Sequence, residues 1–486
     1  MIQIRQIITA LTTEPIRQMI LTKLPKSIAD TPINGATIDS RQVIPGAMFV
    51  ALSGERTDGH NFISNAFNNG AAIALIEKDC PDYSVLNITE NINSHNLFPI
   101  EAFPFCIKVT NALIALQAIA AYWRSTLDLQ VVGITGSVGK SSTKELVANV
   151  LGQKYHTLKN RGNFNNEIGL PLTLLNAGLG HEAAVLEMGF FLPGEIKLLC
   201  EIAKPSIGVV TNVGTVHAER AGSQEIIARG KAELIEALPK SGTAILNADD
   251  PYVRGMANQT DANVLLYGRH PQSDLRVEDI KGLGLNGIKC TFVYQGEKFS
   301  IHLPLIGRHS AFTALRAAAV GLAAGLNWEE ITAGLQKSRN QIRMVATRAW
   351  NGALILDDSY NAAPESTTAA LQLLSDIQEG TTTQRHIAVL GEMYELGQYE
   401  KKGHQQVGQY AAETCDLLIA VGDRSKIIAE AAAQKGMDPQ NIYWLPSVQE
   451  AIDLLVNTLQ ETDVVLIKGS HGLRMDRITW ALETQA

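Results

Sequence analysis

The sequence predicts an α/β protein of three domains. Residues 131–268, and again residues 354–467, alternate short apolar strands with helical patterns, which is typical of parallel sheets covered by helices on both faces. Between them, residues 274–307 change to a period-two alternation with glycine turns, which indicates a small antiparallel appendage. A length of 486 residues fits three domains at about 150 residues each. We expect the domains at residues 1–107, 108–340 and 341–486.

The first domain is predicted to combine short strands with turns. Its strands are expected at residues 35–38, 47–52 and 72–77, and its helix at 62–69. Residues 83–104 are polar, rich in asparagine and flanked by proline, which indicates a loop or insert. A helix over residues 112–127 leads into the second domain.

The second and third domains are each predicted as a series of strands and helices. In the second, strands are expected at 131–135, 183–187, 207–212, 244–247 and 264–267, and helices at 140–151, 194–202, 223–238 and 310–324. In the third, strands are expected from 354 and at 387–390, 417–421 and 464–467, with helices at 365–374, 403–412, 426–434 and 448–459. This last series is Rossmann-like but lacks the GxGxxG fingerprint, so a dinucleotide cofactor is not indicated.

Composition and charge fit a globular protein with no nucleic-acid partner. Apolar residues make up 45% and charged residues 19%, which excludes a disordered or low-complexity chain. The net charge of −8 offers no basic surplus for nucleic acid or anionic lipid, although a local basic pocket remains compatible with it. The five cysteines form no CxxC pair, so neither a disulfide framework nor a structural zinc is expected. With no signal-peptide pattern and no apolar stretch of the ~20 residues that a membrane span needs, we expect a soluble cytoplasmic protein.

A glycine-rich loop at residues 133–142 is the strongest local signal. It follows a strand and opens a helix, where backbone N–H groups and the helix N-terminus can cradle phosphates. Lys140 would reach the β- and γ-phosphates, and the Ser141 hydroxyl would bind Mg²⁺. Ile134 replaces the first glycine of the strict GxxxxGK[ST] pattern, and the alternative is a turn that binds nothing; the strand–loop–helix context favours nucleotide binding. The predicted nucleotide-binding residues here are Gly136, Ser137, Val138, Gly139, Lys140, Ser141 and Ser142.

Other candidate residues follow the strands of the second domain. Glu187 ends one predicted strand and His217 follows the end of another, where open α/β sheets bind ligands, so both are candidates for a metal near the phosphates. The alternative for His217 is an ordinary loop histidine. For Lys231 the pattern by itself favours a solvated lysine beside Glu233. The asparagines at 163, 165 and 166 suit either polar substrate recognition or turns and caps, and both readings stay open.

In combination these segments resemble the Mur ligases. The chain carries, in the family's order, GITGSVGKSS, NFNNEIGLPLTLL, LEMGF, TNVGTVHAER with GKAELIEAL, LNADDP, GRHSAFTALRAAA, LDDSYNAAPES, LGEMYELG and LIKGSHGLRMD. Before them, IDSR, PG, LSG and DGH between residues 38 and 60 resemble the family's uridine-nucleotide domain. The resemblance spans nearly the whole chain.

The resemblance implies an ATP-dependent amide ligase that uses ATP and Mg²⁺. The carboxylate of a UDP-N-acetylmuramoyl tripeptide would take the γ-phosphoryl group of ATP, and an amine would attack the acyl phosphate. The C-terminal motifs favour D-alanyl-D-alanine as that amine. The chain has neither the DNPR-type motif of a sister ligase nor the NKxD motif of a GTPase, and folyl-polyglutamate ligases lack the uridine-nucleotide domain, so these alternatives are disfavoured. We expect a monomer.

The resemblance also implies roles for individual residues. Lys140, Lys231 and His217 would be catalytic, with Lys231 carbamylated, and the metal would be held by Ser141, Glu187, His217 and Lys231. Asn247, Arg343 and Asp358 would surround ATP; the alternatives are a domain-linking salt bridge for Arg343 and a turn cap for Asp358. The residues implied for the UDP-substrate are Ser40, Arg41, Ser53, Gly54, Asn165, Asn166 and Glu167. Tyr360 and Asn361 would also bind substrate, at the interface where the third domain closes.

Several positions depart from the family pattern. Ser310 and Thr313 stand where asparagine is usual, which puts in doubt an adenine contact from that helix. Glu392 replaces an aspartate, Ile342 replaces a glycine, and His471-Gly472-Leu473 replaces Arg-Ser-Met, so the dipeptide pocket is expected to be built differently. None of these departures touches the catalytic residues.

Overall fold

The computed structural model describes residues 1–55, 57–89, 100–216, 218–337, 344–377 and 384–484. The chain divides into two compact units. The first comprises Met1–Gly133, Tyr155–Gly189 and Glu195–Ser206, and the second comprises Ile134–Lys154, Phe190–Gly194 and Ile207–Ala486.

The strands confirm the predicted alternation. In chain order they are β1 (Ala36–Thr37), β2 (Met48–Val50), β3 (Ile73–Ile76), β4 (Val85–Asn87), β5 (Phe105–Lys108), β6 (Gln130–Thr135), β7 (Thr157–Lys159), β8 (Ala183–Glu187), β9 (Ile207–Val210), β10 (Thr243–Asn247), β11 (Asn263–Gly268), β12 (Leu275–Gly282), β13 (Ile288–Tyr294), β14 (Glu297–Leu303), β15 (Val345–Arg348), β16 (Leu354–Asp357), β17 (His386–Gly391), β18 (Leu417–Val421), β19 (Ile442–Leu445) and β20 (Val464–Lys468).

The α-helices connect these strands. They are α1 (Ile4–Leu11), α2 (Glu14–Lys23), α3 (Lys26–Ala29), α4 (Ile63–Asn68), α5 (Ala112–Ser125), α6 (Lys140–Leu151), α7 (Gly169–Leu175), α8 (Glu195–Ala203), α9 (Ala218–Ala221), α10 (Gln224–Glu236), α11 (Pro251–Gly255), α12 (Ser310–Ala323), α13 (Trp328–Gln336), α14 (Pro364–Asp376), α15 (Glu400–Thr414), α16 (Lys426–Lys435), α17 (Val448–Thr458) and α18 (Asp476–Thr484). Within the described ranges, no helix is long and apolar enough to cross a membrane.

The first unit contains a parallel sheet with the strand order β1-β2-β3-β5-β4. Its central strand β3 is buried along its whole length, because helices cover both faces of such a sheet. The same unit pairs β7 with β8 in parallel. The predicted loop at 83–104 contains β4, and its residues 90–99 lie outside the described residues.

The second unit contains strands β9 to β12 in parallel and in sequence order. Strands β12, β13 and β14 then pair antiparallel, so the predicted appendage is confirmed as an extension of the sheet. Tyr267, the penultimate residue of β11, is fully buried.

Strands β15 to β20 form a further sheet of the second unit, in the order β15-β16-β20-β17-β18-β19. All of its neighbours are parallel except the edge strand β15. Successive residues of a strand face opposite sides: Ile355 and Val389 pack in one core, while Leu356 and Leu390 pack in the other. The predicted α/β fold class is therefore confirmed, and the carboxyl ends of these strands carry the residues described next.

Candidate active site

A cavity of about 460 Å³ lies within the second unit. It is bordered by the glycine-rich loop, by residues after β9, β10, β16 and β20, and by the first turns of α12 and α14. Its volume is in the range of small-molecule sites. The structure brings these sequence-predicted residues to its wall: Ser137, Val138, Gly139, Ser142, Asn247, Asp358 and Asn361.

The glycine-rich loop is held in place by the residues that follow β9. The Val138 N–H donates to Asn212 Oδ1 (2.9 Å), and the Val138 carbonyl accepts from Thr211 Oγ1 (2.7 Å). Gly136 has a φ of +143°, and a Cβ there would lie 1.8 Å from Thr211 Oγ1. Glycine is required at this position for both conformational and steric reasons. Asn212 was not predicted as a site residue, although it ends a predicted strand.

Lys140 begins α6 and folds back over this loop. Its Nζ donates to the carbonyl oxygens of Gly136 (2.8 Å) and Ser137 (3.3 Å). The Ser137 hydroxyl accepts the N–H of Gly214 (2.9 Å). The arrangement places the ammonium group and the N-terminus of α6 on the loop, which is the electrostatic setting that phosphates favour.

Lys231 lies inside the protein, so the solvated alternative for this residue is wrong. The side chain is 1% exposed, and its Nζ lies 4.8 Å from the centre of the Phe190 ring. Burial, and secondarily the positive charge of Lys140, lowers the pKa of Lys231 well below its usual value. Gly230 permits this packing, because a Cβ there would lie 2.0 Å from the Phe190 ring. The environment favours a neutral, nucleophilic amine.

Asp358 pairs with a lysine that sequence reasoning did not single out. Lys468 Nζ lies 2.5 Å from Asp358 Oδ2 and donates to the Asn361 carbonyl (2.9 Å). The turn after β16 is capped by Asp357, whose Oδ1 accepts the Ser359 N–H (2.9 Å), so the turn-cap alternative for Asp358 is wrong. Lys468 ends β20 within the quoted segment LIKGSHGLRMD, and its position after an apolar strand was the available signal.

Two more side chains shape the cavity wall. Asn247 donates to the Thr211 carbonyl (2.9 Å) and accepts the Asp249 N–H (3.0 Å), so its amide joins β10 to the end of β9. Glu365, in the first turn of α14, was not predicted. Burial raises the pKa of its carboxyl group, and Asp250 adds to the effect.

Glu187 and Asn165 lie together within the first unit. The Asn165 amide donates to Glu187 Oε1 (2.9 Å), and Asn160 fixes the backbone of Glu187 through two hydrogen bonds of 3.0 Å. Asn166 instead accepts the Gly169 N–H (2.9 Å) at the start of α7, which is a capping role. Glu167 contributes its carbonyl to the Gln117 amide (3.1 Å).

The predicted uridine-nucleotide residues occupy two turns of the first unit. Ser40 is buried, whereas the exposed Arg41 side chain donates to Asp39 (2.9 and 2.8 Å) and lowers the pKa of that carboxyl group. Ser53 donates to Asp58 (3.4 Å), and Gly54 donates to the Thr57 carbonyl.

Asp58, in the quoted DGH segment, was assigned no role from the sequence. It also accepts a hydrogen bond from the His60 backbone N–H (3.0 Å) and contacts Lys78. Both contacts lower the pKa of the Asp58 carboxyl group, and the contact with Lys78 has the larger effect. The carboxylate therefore organises the turn that carries Ser53.

Three predicted residues remain, of which the structure describes Tyr360. Tyr360 is exposed, and its ring meets the His471 ring edge-on at 6.1 Å between centroids. His217 and Arg343 lie outside the described residues. Their predicted roles stay predictions.

Comparison with known proteins identifies the same family over three segments. The family models that match are "Mur ligase family, catalytic domain" at residues 32–124, "Mur ligase middle domain" at 134–321 and "Mur ligase, glutamate ligase domain" at 342–471. The chain is 36% identical to the UDP-N-acetylmuramoyl-tripeptide–D-alanyl-D-alanine ligase of Synechocystis sp., covering 92% of each chain. It is 32% identical to the Bacillus subtilis protein of the same name, covering 92% of this chain and 93% of that one.

Solved structures agree with these matches. MurF from Acinetobacter baumannii is 28% identical and superposes with a TM-score of 0.81 over 99% of this chain and 98% of that one. MurF ligase from Thermotoga maritima, solved in complex with ADP, is 27% identical with a TM-score of 0.75 over 93% of this chain and 97% of that one.

Proposed function

Because the chain belongs to the Mur ligase family, we propose that it is the ATP-dependent ligase that joins D-alanyl-D-alanine to a UDP-N-acetylmuramoyl tripeptide. The observation that carries the proposal is the single cavity in which the glycine-rich loop, Asn247 and the Asp358–Lys468 pair meet. Near-full-length relatives that carry this enzyme name support the choice of substrates.

ATP fits the residues that surround the cavity. Gly136 and Gly139 both have the positive φ that such a loop requires, and the N-terminus of α6 follows directly after them. Lys140 lies over the same loop and would neutralise the charge that develops on the transferred phosphoryl group. Ser137, Val138, Ser141 and Ser142 complete the proposed phosphate site, with Asn247, Arg343 and Asp358 around the rest of the nucleotide.

The reaction proceeds by two displacements. A carboxylate oxygen of the tripeptide attacks the γ-phosphorus, the bond from that phosphorus to the bridging oxygen breaks, and ADP leaves. The amine nitrogen of the dipeptide then attacks the acyl carbon, the bond from carbon to the phosphate oxygen breaks, and inorganic phosphate leaves as the amine loses its proton. The first step brings two anions together, and the second builds negative charge on the acyl oxygen and the departing phosphate, so the cations of the site lower both barriers.

Magnesium fits the donor set that the resemblance implies. Ser141, Glu187, His217 and Lys231 would hold it, and Mg²⁺ would offset the negative charge of the phosphates. The buried Glu187 carboxylate and the carbamylated form of Lys231 are the oxygen donors that this ion prefers.

The environment of Lys231 supports its carbamylation. A carbamate forms when a neutral amine attacks carbon dioxide, and the buried setting of this lysine lowers its pKa and so favours the neutral amine. Once formed, the carbamate carries a negative charge opposite in sign to the nearby Lys140. The modified group would therefore attract Lys140, whereas a protonated Lys231 would repel it.

The UDP-substrate would be bound by residues of the first unit. Ser40, Arg41, Ser53 and Gly54 are proposed for the uridine nucleotide, and Asn165, Asn166 and Glu167 for the muramoyl peptide. Tyr360 and Asn361 would meet the substrate on closure of the third domain. We place this activity in the cytoplasm, in a monomer with domains at 1–107, 108–340 and 341–486; sedimentation velocity tests the monomer.

A phosphate-release assay tests the function. The protein is incubated with ATP, Mg²⁺ and a UDP-N-acetylmuramoyl tripeptide that carries either lysine or meso-diaminopimelate at its third position. D-alanyl-D-alanine is compared with D-alanine, L-lysine and L-glutamate as acceptors, and omission of the tripeptide is the control. We expect phosphate release only with the dipeptide. Equal turnover with a single amino acid would overturn the assignment and favour a sister ligase.

A further inference from the structure

A buried arginine that the proposed mechanism does not use lies at the wall of the cavity. Arg316, on α12, is 6% exposed and lines the cavity. Its Nε donates to Thr143 Oγ1 and its Nη2 donates to Thr313 Oγ1, each at 2.9 Å. Both acceptors are themselves buried. The guanidinium group is therefore fixed in direction by two hydroxyls from different helices.

The same guanidinium lies against the phosphate loop. A Cβ built on Gly139 would lie 3.0 Å from Arg316 Nη2, and Gly139 is the residue directly before α6. On another side, the Tyr267 ring centre lies 5.9 Å from the guanidinium carbon. The positive charge of Arg316 therefore adds to that of the α6 N-terminus.

The charge of Arg316 has no carboxylate partner in the described part of the chain: none of the ion pairs found there includes this residue. A buried cation without a counter-ion is costly, and only two of its five N–H donors are used by the two threonines. A cavity-facing guanidinium with unused donors is suited to an anion, and above all to phosphate oxygens, which it can bind through two parallel hydrogen bonds.

The helix that carries Arg316 also explains the two departures from asparagine. Ser310 donates its hydroxyl to the Ile306 carbonyl (2.7 Å), while Thr313 accepts from Arg316. Both residues line the cavity, and Thr313 directs the guanidinium group of Arg316 there.

We propose that Arg316 binds the phosphate groups of the nucleotide, with Thr143 and Thr313 as its positioning residues. The proposal rests on the proposed function, since it assigns one more residue to the same ATP site. It concerns the phosphates that ADP retains, because Arg316 adjoins Gly139 and the start of α6.

The test compares the binding of ADP and of adenosine by isothermal titration calorimetry in the full-length protein. Arg316→Met removes the charge and keeps much of the packing; we expect the Kd for ADP to rise at least tenfold and the Kd for adenosine to change less than twofold. Arg316→Lys should fall between the wild type and Arg316→Met for ADP, because an ammonium keeps the charge but lacks the planar fork. Circular dichroism melting verifies that each variant is folded.

The positioning role has its own readout. Thr143→Val and Thr313→Val should each raise the Kd for ADP at least threefold, whereas Thr143→Ser, which keeps the hydroxyl, should match the wild type. In the Arg316→Met background, Thr143→Val should add no further loss, because the group that it positions is gone. A full additional loss in the double variant would overturn the positioning role.

The outcomes separate this inference from the proposed function. If the wild type binds ADP and Arg316→Met binds it equally well, or loses adenosine and ADP affinity to the same extent, the phosphate role of Arg316 is overturned while the ligase activity stands. If the wild type binds no ADP at all, the proposed function and this inference fail together. If Arg316→Met does not fold, Arg316→Lys and Thr143→Val decide by the same comparison of ADP with adenosine.

Discussion

Removal of Lys468 is expected to destabilise the protein more than removal of any surface lysine. Lys468 is 2% exposed and its partner Asp358 is largely buried, so Lys468→Met would leave a carboxylate inside the cavity wall without its counter-ion. Breaking a buried ion pair from one side typically costs ~3–5 kcal/mol. The bond from Lys468 to the Asn361 carbonyl is lost as well, which leaves the turn after β16 without a tie to β20.

A matched control uses an exposed pair. Lys298 on β14 and Glu278 on β12, the two strands that flank β13, lie 3.0 Å apart with both side chains at least one-third exposed. Exposed pairs contribute about 0–1 kcal/mol, so Lys298→Met should change little. The double variant Lys468→Met/Asp358→Asn should regain at least half of the stability lost by Lys468→Met, because it removes the stranded charge.

Urea unfolding followed by circular dichroism and by tryptophan fluorescence measures these differences. The four proteins are compared by the midpoint of the transition that Lys468→Met shifts, since a chain of several domains need not unfold in one step. A loss in Lys468→Met no larger than that in Lys298→Met would refute the reasoning. A double variant that is less stable than Lys468→Met would also refute it, because the unpaired Asp358 carboxylate would then not be the cause of the lost stability.

Three further outcomes follow from the geometry. Lys140→Ala should lower kcat by at least a hundredfold yet leave the Kd for the UDP-substrate within twofold in calorimetry, because Lys140 lies on the phosphate loop; lost UDP-substrate binding would contradict its assignment. Lys231→Ala should be nearly inactive and partly rescued by added short carboxylic acids, which supply oxygens but not the stem; near-normal rates in the phosphate-release assay would refute a carbamate. Gly136→Ala should abolish ADP binding, because its Cβ would collide with Thr211 at 1.8 Å. The control Gly436→Ala has a strained φ of +106° but open space around it, so it should lose only ~1 kcal/mol of stability and bind ADP normally in the same titration. ADP binding by Gly136→Ala would contradict the steric argument.

The parallel strands were predictable because burial on both faces leaves an unbroken apolar run. Strand β8 and helix α6 begin and end where the sequence predicted. The edge strand β19 (Ile442–Leu445) was missed, because no residue of it is fully buried and its pattern is therefore weak. Helix α1 was missed for another reason: its apolar residues Ile4, Ile7 and Ile8 have helical spacing, but the segment was treated as part of a strand-and-turn region.

The candidate site was predictable only where its residues form a local sequence motif. The glycine-rich loop joins a strand to a helix within ten residues, so its phosphate-binding role can be predicted from the sequence. Lys468 and Asp358 are 110 positions apart, and Arg316 and Thr143 are 173 apart. No periodicity connects such residues, because only the folding of the sheets brings them together. The burial of Lys231 is likewise a tertiary property, because the charged Glu233 two residues later suggests a solvated face, whereas Gly230 and Ala232 on either side of the lysine are buried with it.

The distribution of charge resolves an apparent conflict in the composition. The chain carries a net charge of −8, yet Lys140, Arg316 and Lys468 all lie at the glycine-rich loop or in the wall of one cavity. The acidic groups there are engaged: Asp358 is paired with Lys468, Asp249 accepts the backbone N–H groups of Arg269 and His270, and burial raises the pKa of Glu365. Cations therefore lie where a polyphosphate is proposed to bind, although the chain as a whole is acidic. The net charge therefore argues against broad nucleic-acid binding, but it is compatible with a nucleotide pocket. Such a pocket depends on the three cations that the fold brings together.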